Sequence, residues 1–230
     1  MTWLARRRTV VFWLGGCLVT AGLVATTVRV QAFRYRPYLH DNLYLPSGNF
    51  IDQISLGYKQ MSADMLWFSA ILYYGEYRKG QHGLEYFSGL IDIVTRLDPH
   101  FIFAYVFGAW VVSEDMGDFQ RGTEILKTGM AVNPLSWELP FEIGFLHFTN
   151  RTDYDLAARY LELASRMPNA PERARRFAAF VYSRGGESDS SIRLWEAYKE
   201  YTDNAYLKEL ADRYIQKLRG EQAIKEAQGK

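Results

Sequence analysis

Two consecutive stretches decide the fold: DFQRGTEILKTGMAVNP at 118–134 and DYDLAARYLELASRMP at 153–168. In both, apolar and small residues recur every three or four positions, as they do along one face of an α-helix, and the run closes on a proline. The same closure occurs upstream. Leu97-Asp98-Pro99, Val132-Asn133-Pro134 and Arg166-Met167-Pro168 place prolines 35 and 34 residues apart. Proline has no backbone N–H and suits the first turn of a helix better than its interior, so each motif ends one helix before the next begins. Read outward from these marks, the chain predicts helices over 62–78, 82–97, 101–116, 119–132, 136–150, 153–166, 171–183, 188–202 and 204–218, with no alternating strand pattern in competition.

A period of this length in paired helices resembles the tetratricopeptide repeat family. Gly75 in ILYYGEY, Gly108 in YVFGAWV and Gly144 in FEIGFLHF fall where that family has a small residue in its first helix, which allows the paired helix to approach closely. The second helices carry Gly122, Leu126 and Gly129 before Pro134, and Ala157, Leu161 and Ala164 before Pro168. The match covers 62–168 directly and 171–218 by helical pattern alone. Departures are the aromatic first helices (Tyr73, Tyr74, Phe107, Phe145), glycines at 122 and 129 in place of alanines, and a longer turn at Arg184-Gly185-Gly186-Glu187-Ser188.

The resemblance implies an all-α body of helical hairpins forming a short superhelix, whose concave surface, made chiefly by first helices, binds a peptide, a helix or another subunit. Carried onto this chain, the candidate protein-binding positions are Glu76, Tyr105, Val112, Phe141, Phe145 and Phe148.

Ahead of the repeats, residues 9–28 read TVVFWLGGCLVTAGLVATTV, twenty positions without a charge. A helix of that length matches the hydrocarbon thickness of a bilayer and predicts a single-pass transmembrane anchor. Arg6, Arg7 and Arg8 before it favour an inner amino terminus, and hence a bacterial inner-membrane protein with its body in the periplasm. Cleavage after Val30-Gln31-Ala32 is disfavoured by Arg29 and by the length of the apolar run. Leu14-Gly15-Gly16-Cys17 has the form of a lipobox but lacks a polar tether after the cysteine. The expected organisation is a basic flank at 1–8, the anchor at 9–28, an irregular aromatic-rich connector arm at 29–61, the repeat domain at 62–218 and a polar tail at 219–230.

Composition removes several function classes. The 230 residues carry 27 Lys plus Arg against 26 Asp plus Glu, which gives no basis for a whole-surface nucleic-acid footprint. One cysteine and four scattered histidines offer no intramolecular disulfide, CxxC pair or zinc knuckle. The densest carboxylate cluster, Glu114, Asp115 and Asp118, sits at a helix-turn boundary without a histidine, and Asp118 is placed to cap the following helix. His40, His82, His100 and His147 lie in different elements, and GGES at 185–188 lacks the lysine of a phosphate loop. No catalytic, cofactor or metal site is predicted.

Arg173, Arg175 and Arg176 form the clearest basic patch and the candidate anionic contact. The sequence therefore predicts a non-enzymatic, membrane-anchored interaction scaffold or accessory subunit of an envelope complex. Its expected partners are a membrane-associated protein, with an integral membrane complex as one form, and the bilayer itself through residues 9–28. The alternatives are a stabilising subunit acting through its membrane helix and arm, and a regulator of a partner enzyme.

Overall fold

The computed structural model describes residues 20, 22, 24–26, 55, 57–151 and 153–228, and from Lys59 onward these form helices joined by short turns. They are α1 (Lys59–Tyr77), α2 (Phe87–Leu97), α3 (Ile102–Trp110), α4 (Phe119–Val132), α5 (Glu138–Leu146), α6 (Tyr154–Ser165), α7 (Glu172–Arg184), α8 (Ser188–Tyr201) and α9 (Ala205–Gln228). Helix α2 shows why they form: Phe87, Leu90, Ile91, Val94 and Leu97 are buried at intervals of three and four, while Arg96 lies on the other side near the negative end of the helix dipole. Helices α3 and α5 are apolar on nearly every side, and each runs on into a π-helical turn, Val111–Asp115 and His147–Arg151. Asp118 accepts from the Arg121 backbone N–H over 3.0 Å and Asp153 from that of Leu156 over 3.2 Å, so both second helices α4 and α6 start on a capping carboxylate.

The chain divides into two compact units, Met1–Tyr44 and Leu45–Lys230. In the first, the described residues at 20, 22 and 24–26 are helical, and the Thr26 hydroxyl donates to the Gly22 carbonyl oxygen over 3.0 Å. In the second, α1 pairs with α2, α3 with α4, α5 with α6 and α7 with α8, and α9 packs on α8. Successive hairpins also touch, so the unit is an all-α helical repeat.

The sequence period corresponds to a bond. Asn133 Nδ2 donates to the Pro99 carbonyl oxygen over 2.8 Å, and Asn133 Oδ1 lies 2.8 Å from His100 Nδ1, which carries the proton because an amide oxygen only accepts. One Pro-containing turn is thereby clasped to the next. Further along, Glu162 on α6 is buried, accepts from the Tyr182 hydroxyl over 2.6 Å, and meets Arg166 and Arg193, joining the third hairpin to both helices of the fourth. Burial and the adjoining carboxylate push the Tyr182 phenol well above its usual range.

The close-approach glycines divide. A Cβ on Gly144 would come within 2.7 Å of Leu161 Cγ and 2.8 Å of the Ala157 carbonyl oxygen in its own partner helix. Gly108 instead faces Ile91 of the preceding hairpin, at 2.6 Å, and Gly75 faces open space. The tightest approach in the second hairpin is made from the other side, where a Cβ on Gly122 would meet Ser113 Oγ and, at 2.7 Å, the Ala109 carbonyl oxygen. In the longer turn at 184–188, Gly186 has φ of 84°, a left-handed conformation that explains the glycine without any phosphate-binding role.

Three expectations are corrected. Among the described residues no helix is long and apolar enough to cross a membrane. The single-pass anchor over 9–28, the bilayer as partner and the inner-membrane placement are overturned on that finding. Most of 9–28 and the arm at 29–54 lie outside the described residues. The first helix of the repeats begins at Lys59 rather than 62, whereas α2 begins at Phe87 rather than 82, because residues 78–86 form a turn held by Gly80 N–H to the Tyr77 carbonyl and Phe87 N–H to the Leu84 carbonyl. The last helix continues past 218 to Gln228, tied to α8 by Arg219 with Glu196 at 2.6 Å and at the start of α8 by Gln222 with Asp189 at 2.7 Å.

Candidate functional site

Helices α3, α5 and α7 set the geometry of the site. Each buries one or more small residues on one side, Ala104, Gly108 and Ala109 in α3, Gly144 in α5, Ala174, Ala178 and Ala179 in α7. The opposite side of each carries rings. Trp110, Phe145 and Phe180 stand 35 residues apart in sequence and so occupy the same place in three successive hairpins. Trp110 and Phe145 have ring centroids 5.5 Å apart, Phe145 and Phe177 5.4 Å, and Phe148 and Phe177 5.3 Å, within the range of favourable aromatic pairs. The result is a continuous, half-buried aromatic face running from the second hairpin to the fourth.

At its C-terminal end this face closes into a cavity of about 370 Å³ lined by Phe141, Phe145, Arg173, Arg176, Phe177, Phe180, Trp195, Leu210 and Tyr214. The walls therefore come from α5, α7, α8 and α9. Trp195 is buried and stacks on Tyr214 with centroids 4.7 Å apart, which fixes both rings. Its indole N–H and the Arg176 Nε are both buried without a hydrogen-bond partner. Arg173 lies 5.6 Å from the Trp137 ring centroid and Arg176 5.9 Å from that of Tyr198.

Glu142 borders the same face. Burial raises its carboxyl above the ordinary range, while the Trp110 indole N–H, donating over 2.8 Å, and the Arg173 charge hold it down in part. Because the folded protein favours the protonated form, the stability Glu142 contributes is present below the ordinary carboxylate range and is lost as pH rises through its raised folded value. Glu142→Gln keeps an acceptor for Trp110 and removes the titration. Thermal melts from about pH 4 to about pH 7 are expected to show a smaller stability loss in this variant than in the parent, and identical profiles would contradict the assignment.

The six candidate binding positions separate into two groups. Phe141, Phe145 and Phe148 are together on the aromatic face. Tyr105 and Val112 are buried, 2% and 0% exposed, between α3 and its neighbours, so neither presents a surface to a partner. Glu76 belongs to neither group, its carboxylate 3.5 Å from His82 Nε2 beside the 78–86 turn. Of the basic patch, Arg173 and Arg176 line the cavity, while Arg175 is directed elsewhere, over the Tyr201 ring at 3.8 Å.

Trp110, Phe177, Phe180 and Trp195 were not among the predicted binding positions, although adding 35 to Trp110 leads to Phe145 and then to Phe180. Trp195, Leu210 and Tyr214 had no such signal, because no proline marks the period in the fourth hairpin.

The carboxylate cluster has structural work. Asp115 accepts from the Tyr74 hydroxyl over 3.0 Å and lies 3.5 Å from Arg78, Asp118 caps α4, and Glu114 is exposed. Among the described residues no group of three or more His, Cys, Asp or Glu side chains is disposed to hold a metal ion. His40 lies outside the described residues.

No family model matches the sequence, and no curated protein does. Solved structures with some likeness include two crystal structures of MamA. One is 18% identical with a TM-score of 0.41, covering 66% of this chain and 95% of that one, and the other is 17% identical with a TM-score of 0.44, covering 72% and 94%. The crystal structure of yeast Tom70 is 17% identical with a TM-score of 0.29, covering 80% of this chain and 45% of that one. The functional reading rests on the geometry of this chain alone.

Proposed function

We propose that this chain is a non-enzymatic protein-interaction scaffold whose aromatic face, from Trp110 through Phe145 to Phe180, holds an apolar segment of a protein partner. The observation that carries the reading is the cavity at the end of that face, walled by rings of four helices and open to an occupant. Rigid aromatic side chains supply large contact area with little rotamer entropy to lose, which is why such residues dominate the binding energy of interfaces. Asp115, Asp118, His82, His100 and His147 are engaged in hydrogen bonds, a helix cap, a brace and ring stacking, which favours binding over turnover.

The test is affinity and folding measured on the same purified variants, with a partner identified by gentle isolation of the full chain and mass spectrometry of copurifying proteins. Phe145→Ala and Phe180→Ala are each expected to weaken association about tenfold or more, beyond any loss seen in circular dichroism melting. Unchanged affinity in folded variants would reject the groove.

A further inference from the structure

The outer face of α1 is apolar. Its inner face packs on the body: Ala63, Ala70 and Tyr73 are buried, and Trp67 has its ring centroid 5.2 to 5.6 Å from those of Phe101, Phe103 and Phe107. On the opposite side Tyr58, just ahead of the helix, and Met61, Met65, Phe68 and Leu72 are 47–69% exposed. Their spacing is three, four, three and four, the alternation of a coiled-coil seam, so the five side chains line up in one stripe. Within the array α3 packs on the preceding α2, and α5 on α3 and α4, whereas among the described residues no hairpin precedes α1. Helical arrays end in caps with a polar outer face, because the surface that would receive another repeat is otherwise left to water. The far end meets this requirement, with Glu209, Arg213, Gln216 and Lys217 exposed along the middle of α9. The α1 end does not.

We infer that the stripe from Tyr58 to Leu72 is a self-association surface, on which a second copy of this chain lays the same stripe. A heptad seam packs against a helix of like spacing, and a second α1 supplies one with side chains of the same size. The exposed charges beside the stripe, Lys59 and Asp64, are one of each sign, so a second copy meets no excess of like charge. A head-to-tail stack would set the apolar stripe against the charged middle of α9, and the contact therefore closes as a two-fold pair. The area suffices. At about 200 Å² for a fully exposed side chain of this size, the stripe offers roughly 600 Å² per copy, and a pair reaches the lower bound of about 1,200 Å² for specific association. No residue of this surface belongs to the aromatic groove, so the two stand or fall separately.

The test is the mass of the full chain by analytical ultracentrifugation across a dilution series, with a dimer expected at the concentrated end and a monomer on dilution. Met65→Glu and Phe68→Glu are each expected to raise the dissociation constant at least about thirtyfold. Both side chains are exposed in the single chain, so the variants should melt as the diluted parent does in circular dichroism. Leu135→Glu, at a residue 72% exposed and off the stripe, should leave the mass unchanged. A second measurement needs no variant: oxidation of Met61 and Met65 by dilute peroxide, followed by mass spectrometry, should slow as the parent is concentrated, while that of Met116 should not. A chain that is monomeric throughout would overturn the inference. Protection of Met61 and Met65 that is equal at every concentration would overturn it in favour of cover by another part of the same chain. A dimer insensitive to both glutamates would place the contact elsewhere and overturn it as well.

Discussion

Replacing Tyr105 by alanine is expected to lower the unfolding free energy by about 3–5 kcal/mol, the range for removing a buried aromatic side chain. Tyr105 is 2% exposed, its hydroxyl reaches the Thr95 carbonyl oxygen over 3.4 Å, and its ring lies so close beneath Gly129 that a Cβ there would come within 2.7 Å of it. Alanine would leave a cavity between α3 and α4 that the flanking backbone cannot fill. For a chain of this length the melting temperature should fall by roughly 10 °C, measured by circular dichroism. Phe148→Ala, on the half-buried face, should cost less stability and more affinity. Equal and small effects on folding from both would remove Tyr105 from the core.

Gly144→Leu is expected to destabilise by about 1–3 kcal/mol. A side chain at 144 meets not only the movable tip of Leu161 but the Ala157 carbonyl oxygen, and backbone cannot yield without separating α5 from α6. The control has the opposite sign. Gly75 is helical and faces open space, so Gly75→Ala should stabilise by roughly 0.5–1 kcal/mol through helix propensity. Thermal melting of the two variants side by side checks both, and a cost at 75 matching that at 144 would contradict the packing described.

The contrast between these residues also explains what the sequence disclosed. The second-helix pattern and the Pro-ended turns were legible because amphipathic helices repeat visibly, and the three turn motifs do close α2, α4 and α6 in the structure. The binding face was only half legible. Gly108 and Gly144 stand 36 apart, one more than Pro99 and Pro134, so aligning repeats on glycine rotates one first helix by about 100° against the other. That rotation put Tyr105 and Val112 in the predicted groove and left Trp110 out of it. In α3 and α5 hydropathy could not correct the error, because these helices are apolar on nearly every side and core and groove share the same residue types. The cavity was illegible for a different reason: it exists only through the packing of α5, α7, α8 and α9 around one space.

The pairing of small residues across the hairpins constrains how such an array can be rebuilt. Ala109 faces Gly122 in the second hairpin and Gly144 faces Ala157 in the third, so the glycine has moved to the other helix of the pair while the 35-residue spacing is kept on both sides. Exchanging only the second helices between these hairpins would set alanine against alanine in one product and glycine against glycine in the other. The first would wedge its helices apart, and the second would leave a gap and two flexible backbones. Crossovers at Pro99, Pro134 or Pro168 move both partners together and preserve every contact within the pair. The exchangeable unit of this body is therefore the hairpin bounded by its turns, and a single methyl group is enough to make a join inside a hairpin costly.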